Sequence, residues 1–416
     1  MNDRDRAIIL EEMNRRAANS SEKIKRRKIV KIQKIIIKTM VIIAIIGVVA
    51  FVGVKLWDKF SKSEVTESGA ESGIADKSAT GDYFGLNSDL ASSGDSMASL
   101  TDADDDREKD FEINLTFAGD CCMASEQDDQ SEGNMRWYSQ NYPTSYFFEK
   151  VVQYFEGDDL TVVNCENAFT DKASEKNEKE EGPQYWFKAP TSFAKVFSDN
   201  NIEMVSLANN HTLDYGEEGY EDTKAALDAA GVQWGSWDKI QYFEKDGFTI
   251  AFVFIKFFNQ TEFENNMTIL DEAVKNSDYQ IVFFHAGAEG EFFIYDWVIE
   301  KCHAYVDRGA DLMVGSHPHV LEKRENYNGV DIVYSMGNFC FGGNVAPKSN
   351  RTIIYKYKLH IQGKGKDLQV TDKEEEFIPC YVHTGTFNNW QPAPIEDPEI
   401  ADRVVRFMNG ELDTPE

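Results

Sequence analysis

The chain has 416 residues, with 72 acidic and 43 basic side chains and a formal charge of −29. That acidic balance argues against nucleic acid as a partner. It also argues against tight static binding of a polyanion, except where a bound cation reverses the local sign.

The charge is unevenly spread. Residues 1–38 carry twelve Lys or Arg against five acids, a net +7, which leaves −36 on the remainder. Residues 1–34 read as a basic tail. The run Ile35–Trp57 that follows is apolar apart from Lys38 and Lys55. About 20 residues at 1.5 Å each cross a bilayer core of about 30 Å, and both lysines can snorkel. Residues 35–57 therefore predict a single transmembrane helix. The basic flank puts residues 1–34 in the cytoplasm and the main domain outside the cell membrane. A cleaved signal peptide is the rival reading; its charged region would be unusually long, and no A-x-A site follows.

Residues 58–110 contain SGAESG, SATGD, ASSGDS and DADDD. So polar and acidic a segment cannot bury enough apolar surface to fold, and it reads as a disordered linker. Its mean span would be about 40 Å. Residues 111–416 then form one domain of about 300 residues, ample for a large core.

Within that domain strand-like and helix-like runs alternate, which reads as α/β. The strands are expected at Ile113–Phe117, Leu160–Asn164, Met204–Leu207, Phe248–Ile255, Gln280–Phe284, Leu312–Val314 and Ile332–Tyr334. Helices are expected at Tyr146–Phe155, Ser192–Ser198, Tyr220–Ala230 and Trp297–Val306, with Gly231 as a C-cap glycine. From Ile353 onward the strands look antiparallel and half exposed, and the helix-like Glu399–Met408 closes the chain.

Metal-type ligands follow five of these apolar runs. LTFAG leads to Asp120, TVVNC to Glu166, MVSLA to Asn210 and His211, QIVFF to His285, and DLMVG to His317 and His319. Side chains at the C-terminal ends of strands converge on one crevice in α/β sheets. Carboxylate, amide and imidazole donors in such numbers suit one or two divalent ions of the manganese, zinc or iron kind. Asp214, three residues beyond His211, is spaced to orient that imidazole. Alternate residues of extended backbone point opposite ways, so His317 and His319 need a bend to share a site, and Pro318 supplies a reason for one.

These segments also resemble a family. FAGD at 117–120, NCENAFT at 164–170, SLANNHTLDYGEEG at 206–219, FFHAGAE at 283–289, GADLMVGSHPHV at 309–320 and VYSMGNFCFG at 333–342 are similar to the CapA family of capsule-synthesis proteins. The resemblance implies a metallophosphoesterase-like α/β/β/α sandwich. By that resemblance Asp120, Glu166, Asn210, His285, His317 and His319 would be metal ligands, and His211 with Asp214 would be catalytic, His211 as general acid. The first motif, Gly-Asp-Cys, departs from the Asp-x-His of the phosphoesterases, and Glu166 stands where a bridging aspartate is expected. The metal count is left open by these departures.

Secondary candidates are weaker. Glu289 is placed for substrate or for support of the centre, and Lys188 for an anionic substrate. Ser335 and Asn338 would brace the histidine loop. His303, His360 and His383 are assigned no role. The six cysteines read as buried apolar residues rather than disulfides, with Cys121 as an alternative ligand.

The resemblance implies a membrane-anchored factor in the synthesis, export or attachment of a poly-γ-glutamate-type capsule or wall polymer. Its partners would be the membrane, an anionic polymer and other capsule-synthesis membrane proteins. Residue chemistry alone does not imply that role; the alternatives are an extracellular metal-dependent phosphoesterase or amide hydrolase and a non-catalytic surface scaffold.

Overall fold

The computed structural model describes residues 107–126, 129, 131–172, 176–177, 184–365 and 367–416. The expected tail, transmembrane helix and most of the linker lie outside the described residues. No helix among the described residues is long and apolar enough to cross a membrane.

Strands are numbered in chain order. One sheet contains β1 (Glu108–Cys122), β3 (Leu160–Cys165), β6 (Met204–Ser206), β7 (Gln233–Gly235), β14 (Asn338–Phe341), β15 (Arg351–Lys364), β16 (Gln369–Tyr381) and β17 (Ala393–Pro394). Its order is β17-β16-β15-β1-β3-β6-β7, with β14 also on β1. A second sheet contains β8 (Gln241–Lys245), β9 (Phe248–Lys256), β10 (Tyr279–His285), β11 (Leu312–Ser316), β12 (Leu321–Tyr327) and β13 (Val330–Met336), in the order β12-β13-β11-β10-β9-β8. Three short strands, β2 (Ser125–Glu126), β4 (Ala168–Phe169) and β5 (Phe187–Ala189), make a small third sheet.

The layering follows from the period of two along each strand. Ile113, Leu115 and Phe117 of β1 join Phe252, Phe254, Phe283 and Val314 in one core between the two large sheets. The alternate residues face outward. Val163 and Val205 pack with Tyr220 and Leu227 of the helix Gly216–Ala230. On the other side Val253 and Ile255 pack with Leu270 and Tyr305 of the helices Gln260–Asn276 and Asp296–Arg308. The layers are thus helix, sheet, sheet, helix. Burial on both faces explains why the parallel strands read as nearly continuous apolar runs.

Several expectations need correction. The helix expected at Tyr146–Phe155 occurs as two short 3-10 turns, Thr144–Phe147 and Val152–Tyr154. Val151 and Val152 are β-branched and lose side-chain freedom in a helix, and Phe147, Phe148 and Val151 are fully buried, so packing sets the backbone there. Ser192–Ser198 is likewise a 3-10 segment, Thr191–Val196. The first strand begins at Glu108 rather than after residue 110, because Glu108, Lys109 and Asp110 pair with Lys364, Gly363 and Gln362 of β15. The helix Gln260–Asn276, capped by Asn259 Oδ1 on the N–H of Glu262, was not expected. Gly231 does close its helix, with φ 73°.

Candidate metal centre

Asp120 sits at an irregularity in the pairing of β1 with β3 and β14, where the register shifts on both sides of it. Such bulges re-aim a side chain beside a site. Gly119 before it has no room for a side chain: a Cβ there would lie 1.9 Å from the carbonyl oxygen of Gly337. That close approach lets the Asp120 N–H bond to Gly337 O at 2.9 Å.

The side chain of Asp120 meets the second sheet. Asp120 Oδ2 accepts the His317 N–H at 3.2 Å and lies 3.3 Å from His319 Nδ1. His317 and His319 both have left-handed backbone, φ 100° and 57°. Each such residue costs about 1–3 kcal/mol and persists only where its surroundings impose it. The two turns are the bend that brings both imidazoles to one place. Asn338 Oδ1 accepts from His319 Nδ1 at 3.0 Å, and Ser335 Oγ bonds Val320 O at 2.8 Å, so both residues brace this loop.

Glu166 follows β3 and is fully buried, as is Asp120. Its Oε1 has no hydrogen-bond partner. It lies 3.6 Å from His285 Nε2, 3.8 Å from His319 Nε2 and 3.9 Å from His211 Nε2. Leaving a buried carboxylate oxygen unpaired costs on the order of several kcal/mol. One carboxylate oxygen ringed by three imidazole nitrogens beyond hydrogen-bond range is what a shared cation would satisfy.

His285 points the same way. Ser316 Oγ donates to Phe284 O at 3.1 Å, and His285 Nδ1 lies 3.0 Å from that Oγ and 3.3 Å from Asn164 Nδ2. His285 Nε2 lies 2.7 Å from Asn210 Oδ1. His317 Nδ1 lies 3.0 Å from the same Nε2. Among the described residues two groups offer ligand atoms all within 4.8 Å of one another: Glu166, His317 and His319, and Asp120, Glu166 and His285. Glu166 belongs to both. The residues present thus fit a divalent ion with mixed oxygen and nitrogen donors.

The charge states agree with buried imidazoles around buried carboxylates. Burial raises the Glu166 carboxyl well above its usual range, against the opposing pull of His319. Burial and neighbouring imidazoles hold His285 and His317 well below theirs. Burial also works against a charged His319, but Glu166, Asp120 and Glu289 outweigh it and hold that imidazole up at about 9.

His211 stands at the edge of this group. Its Nδ1 donates to Asp214 Oδ2 at 2.8 Å, and that oxygen also accepts the Phe187 N–H at 2.8 Å. Nε2 is thereby left facing Glu166. Phe187 lies 4.5 Å from the His211 ring, Phe341 4.6 Å from His319, and the 38% exposed Phe258 4.7 Å from His317.

The eight predicted site residues are therefore brought together. The sequence reading missed Asn164, whose Nδ2 donates to Asp120 Oδ1 at 2.8 Å and to Glu166 Oε2 at 3.2 Å. It also missed Asn209, which donates to Asn164 Oδ1 at 3.1 Å and receives the His211 N–H at 3.0 Å. The signal for Asn164 was present: a polar residue inside the fully buried run LTVVNC. The candidate Lys188 and the unassigned His303 and His360 have other partners. Lys188 donates to Lys172 O at 2.8 Å, His303 stacks on Tyr327, and His360 pairs with Glu112 and Glu374. Glu289 is exposed and reaches the centre through its charge. All six cysteines are free and buried, and Cys121 is in neither ligand group.

The family model described as bacterial capsule synthesis protein PGA_cap matches residues 114–343, more than half of the chain. The chain belongs to this family. The match takes in every residue of the centre, from Asp120 to Asn338. The PGA biosynthesis protein CapA of Bacillus subtilis (strain 168) is 30% identical over 280 residues, covering 62% of this chain and 69% of that protein. The capsule biosynthesis protein CapA of Bacillus anthracis is 26% identical over 322 residues, covering 71% and 72%. Among solved structures, a phosphatase from Mycoplasma pneumoniae and the calcineurin-like phosphoesterase YfkN from Bacillus subtilis overlap 65% of this chain at TM-scores of 0.37 and 0.36, each at 11% identity. They span 95% and 91% of those two chains. For this PGA_cap family member the layer order described above rests on its own strands and cores, not on that overlap.

Proposed function

We propose that the chain is a membrane-anchored factor in the synthesis, export or attachment of a poly-γ-glutamate-type capsule or wall polymer, and that it performs a metal-dependent hydrolytic or transfer step. Family membership and the names of the two Bacillus relatives support the polymer. The observation that carries the metal is the unpartnered, fully buried Glu166 Oε1 ringed by His211, His285 and His319.

Asp120, Glu166, Asn210, His285, His317 and His319 would hold one or two ions of manganese, zinc or iron. Bound there, such an ion polarises a substrate oxygen and stabilises charge that develops on it. The chain's own groups do the rest. Asp214 holds His211 through Nδ1, which leaves Nε2 as the nitrogen that can pass a proton to a leaving group. Phe187, Phe258 and Phe341 wall the imidazoles and limit water. The His211–Asp214 pair favours a catalytic role over a scaffold, and also suits an extracellular phosphoesterase or amide hydrolase.

Residues 35–57 anchor the chain with residues 1–34 in the cytoplasm. The partners are the anionic polymer and other capsule-synthesis membrane proteins. The test is a deletion strain complemented with wild type or with Asp120→Ala. Surface polymer restored by wild type and not by Asp120→Ala is expected; equal restoration would refute the metal-dependent step.

A further inference from the structure

A second feature lies beside the centre. A cavity of about 610 Å³ opens between the end of β9, the helix Gln260–Asn276, Trp237 and Leu213. Leu213 belongs to the same loop as His211 and Asp214. Lys256, in the cavity wall, is the register partner of His285 on the adjacent parallel strand. Register partners in a sheet share a face, so the Lys256 side chain leaves the sheet on the side of the metal-type ligands.

The Lys256 side chain is half-buried and its ammonium is only loosely paired. Its side chain is 26% exposed, and among the described residues its Nζ makes no hydrogen bond. Glu262 Oε1 lies 3.7 Å away, too far for one. Glu262 is held there by another duty, since its Oε2 accepts the Phe258 N–H at 2.7 Å. The Trp237 ring centroid is 5.4 Å from Nζ. Asn266 Nδ2 bonds Lys256 O at 2.9 Å and fixes the strand end. Of the remaining walls Leu213 and Ile269 are apolar, and Asn265 and Thr268 are polar. An ammonium with open donor positions, beside an indole, two aliphatic side chains and the polar Asn265 and Thr268, with Glu262 as an acidic neighbour, suits a carboxylate flanked by a short methylene run.

We propose that this cavity is a substrate subsite in which Lys256 binds the side carboxylate of the residue next to the bond presented to the metal centre, with its methylenes against Trp237 and Leu213. This rests on the reading of the centre as acting on a carboxylate-bearing polymer.

The test is calorimetric titration of the purified full-length chain, metal-stripped and manganese-loaded, with γ-glutamyl-glutamate, its fully amidated counterpart, and inorganic phosphate. The dipeptide is expected to bind both forms and the amide neither. Lys256→Met should weaken the dipeptide by about tenfold or more, the worth of one charge-assisted hydrogen bond. Lys256→Arg should restore most of it. Equal affinity in wild type and Lys256→Met would overturn the proposal. So would Lys256-dependent binding of phosphate without binding of the dipeptide. Binding that depends on Lys256 in a chain that never takes up manganese would sustain the subsite while removing the metal reading, so the two failures are separable.

Discussion

His211 Nδ1 lies 2.8 Å from Asp214 Oδ2, and this contact divides the work of the imidazole. One nitrogen is spent on orientation, and the other faces the carboxylate at the heart of the centre. Asp214 is itself fixed by the backbone N–H of Phe187 in the small third sheet, so the pair is set by the fold rather than by a surface loop.

His211 is expected to serve chemistry more than folding or metal affinity. A general acid contributes about 10² to 10⁴ in rate, or roughly 3–5 kcal/mol of barrier. His211→Asn should therefore lose polymer formation or hydrolysis, with thermal midpoint and metal content near wild type. Asp214→Asn should give a milder loss of the same kind. Activity measured alongside metal content checks this; an active, fully loaded His211→Asn protein would speak against it.

Metal binding should release protons. His285 and His317 are held well below the usual imidazole range, so both are neutral at pH 7 and ready as ligands. His319, held up at about 9 by Glu166 and Asp120, carries a proton there and must lose it to bind. Glu166, raised by burial, adds loss of the same sign wherever it is still protonated. Affinity should rise by about tenfold per pH unit up to about 9 for the His319 proton alone, then level off. The window lies above the reference imidazole value of about 6.5 that the sequence alone would suggest. Calorimetry at pH 7.5 in buffers of different ionisation enthalpy counts the protons; none released would contradict the account.

Gly119→Ala should damage the centre without touching a ligand. The new Cβ would meet Gly337 O at 1.9 Å, so β1 or the turn before Asn338 must move. A forced backbone shift of this kind costs about 1–3 kcal/mol, and it would displace Asp120 from His317 and His319. Lower thermal stability and weaker metal binding together are expected. Unchanged metal binding would show that the close approach is not what positions Asp120.

The ligand-bearing strand ends were legible because burial on both faces makes β3, β10 and β11 continuous apolar runs that stop at a polar residue. How His317 and His319 share a site was only half legible. Pro318 announced a bend, but the left-handed backbone at both histidines belongs to the tertiary setting, where Asp120 and Asn338 hold them. Asn164 was overlooked because a single amide inside a buried strand has no periodic signature; its meaning lies in the three strands whose side chains it joins. The start of β1 was hidden by composition, since Glu108, Asp110 and Glu112 on its exposed face continue the acidic character of the preceding segment. Nor does local sequence say that β15, more than 200 residues later in the chain, pairs with β1.

The most direct test is the metal content of the purified full-length chain, measured by elemental analysis for wild type and for His317→Ala with His319→Ala, with the thermal midpoint of each recorded. The account predicts about one or two equivalents of manganese, zinc or iron in wild type. It predicts little or none in a folded double variant. Full metal occupancy in the double variant, or a wild-type chain that binds no divalent ion at any pH up to 9, would contradict it.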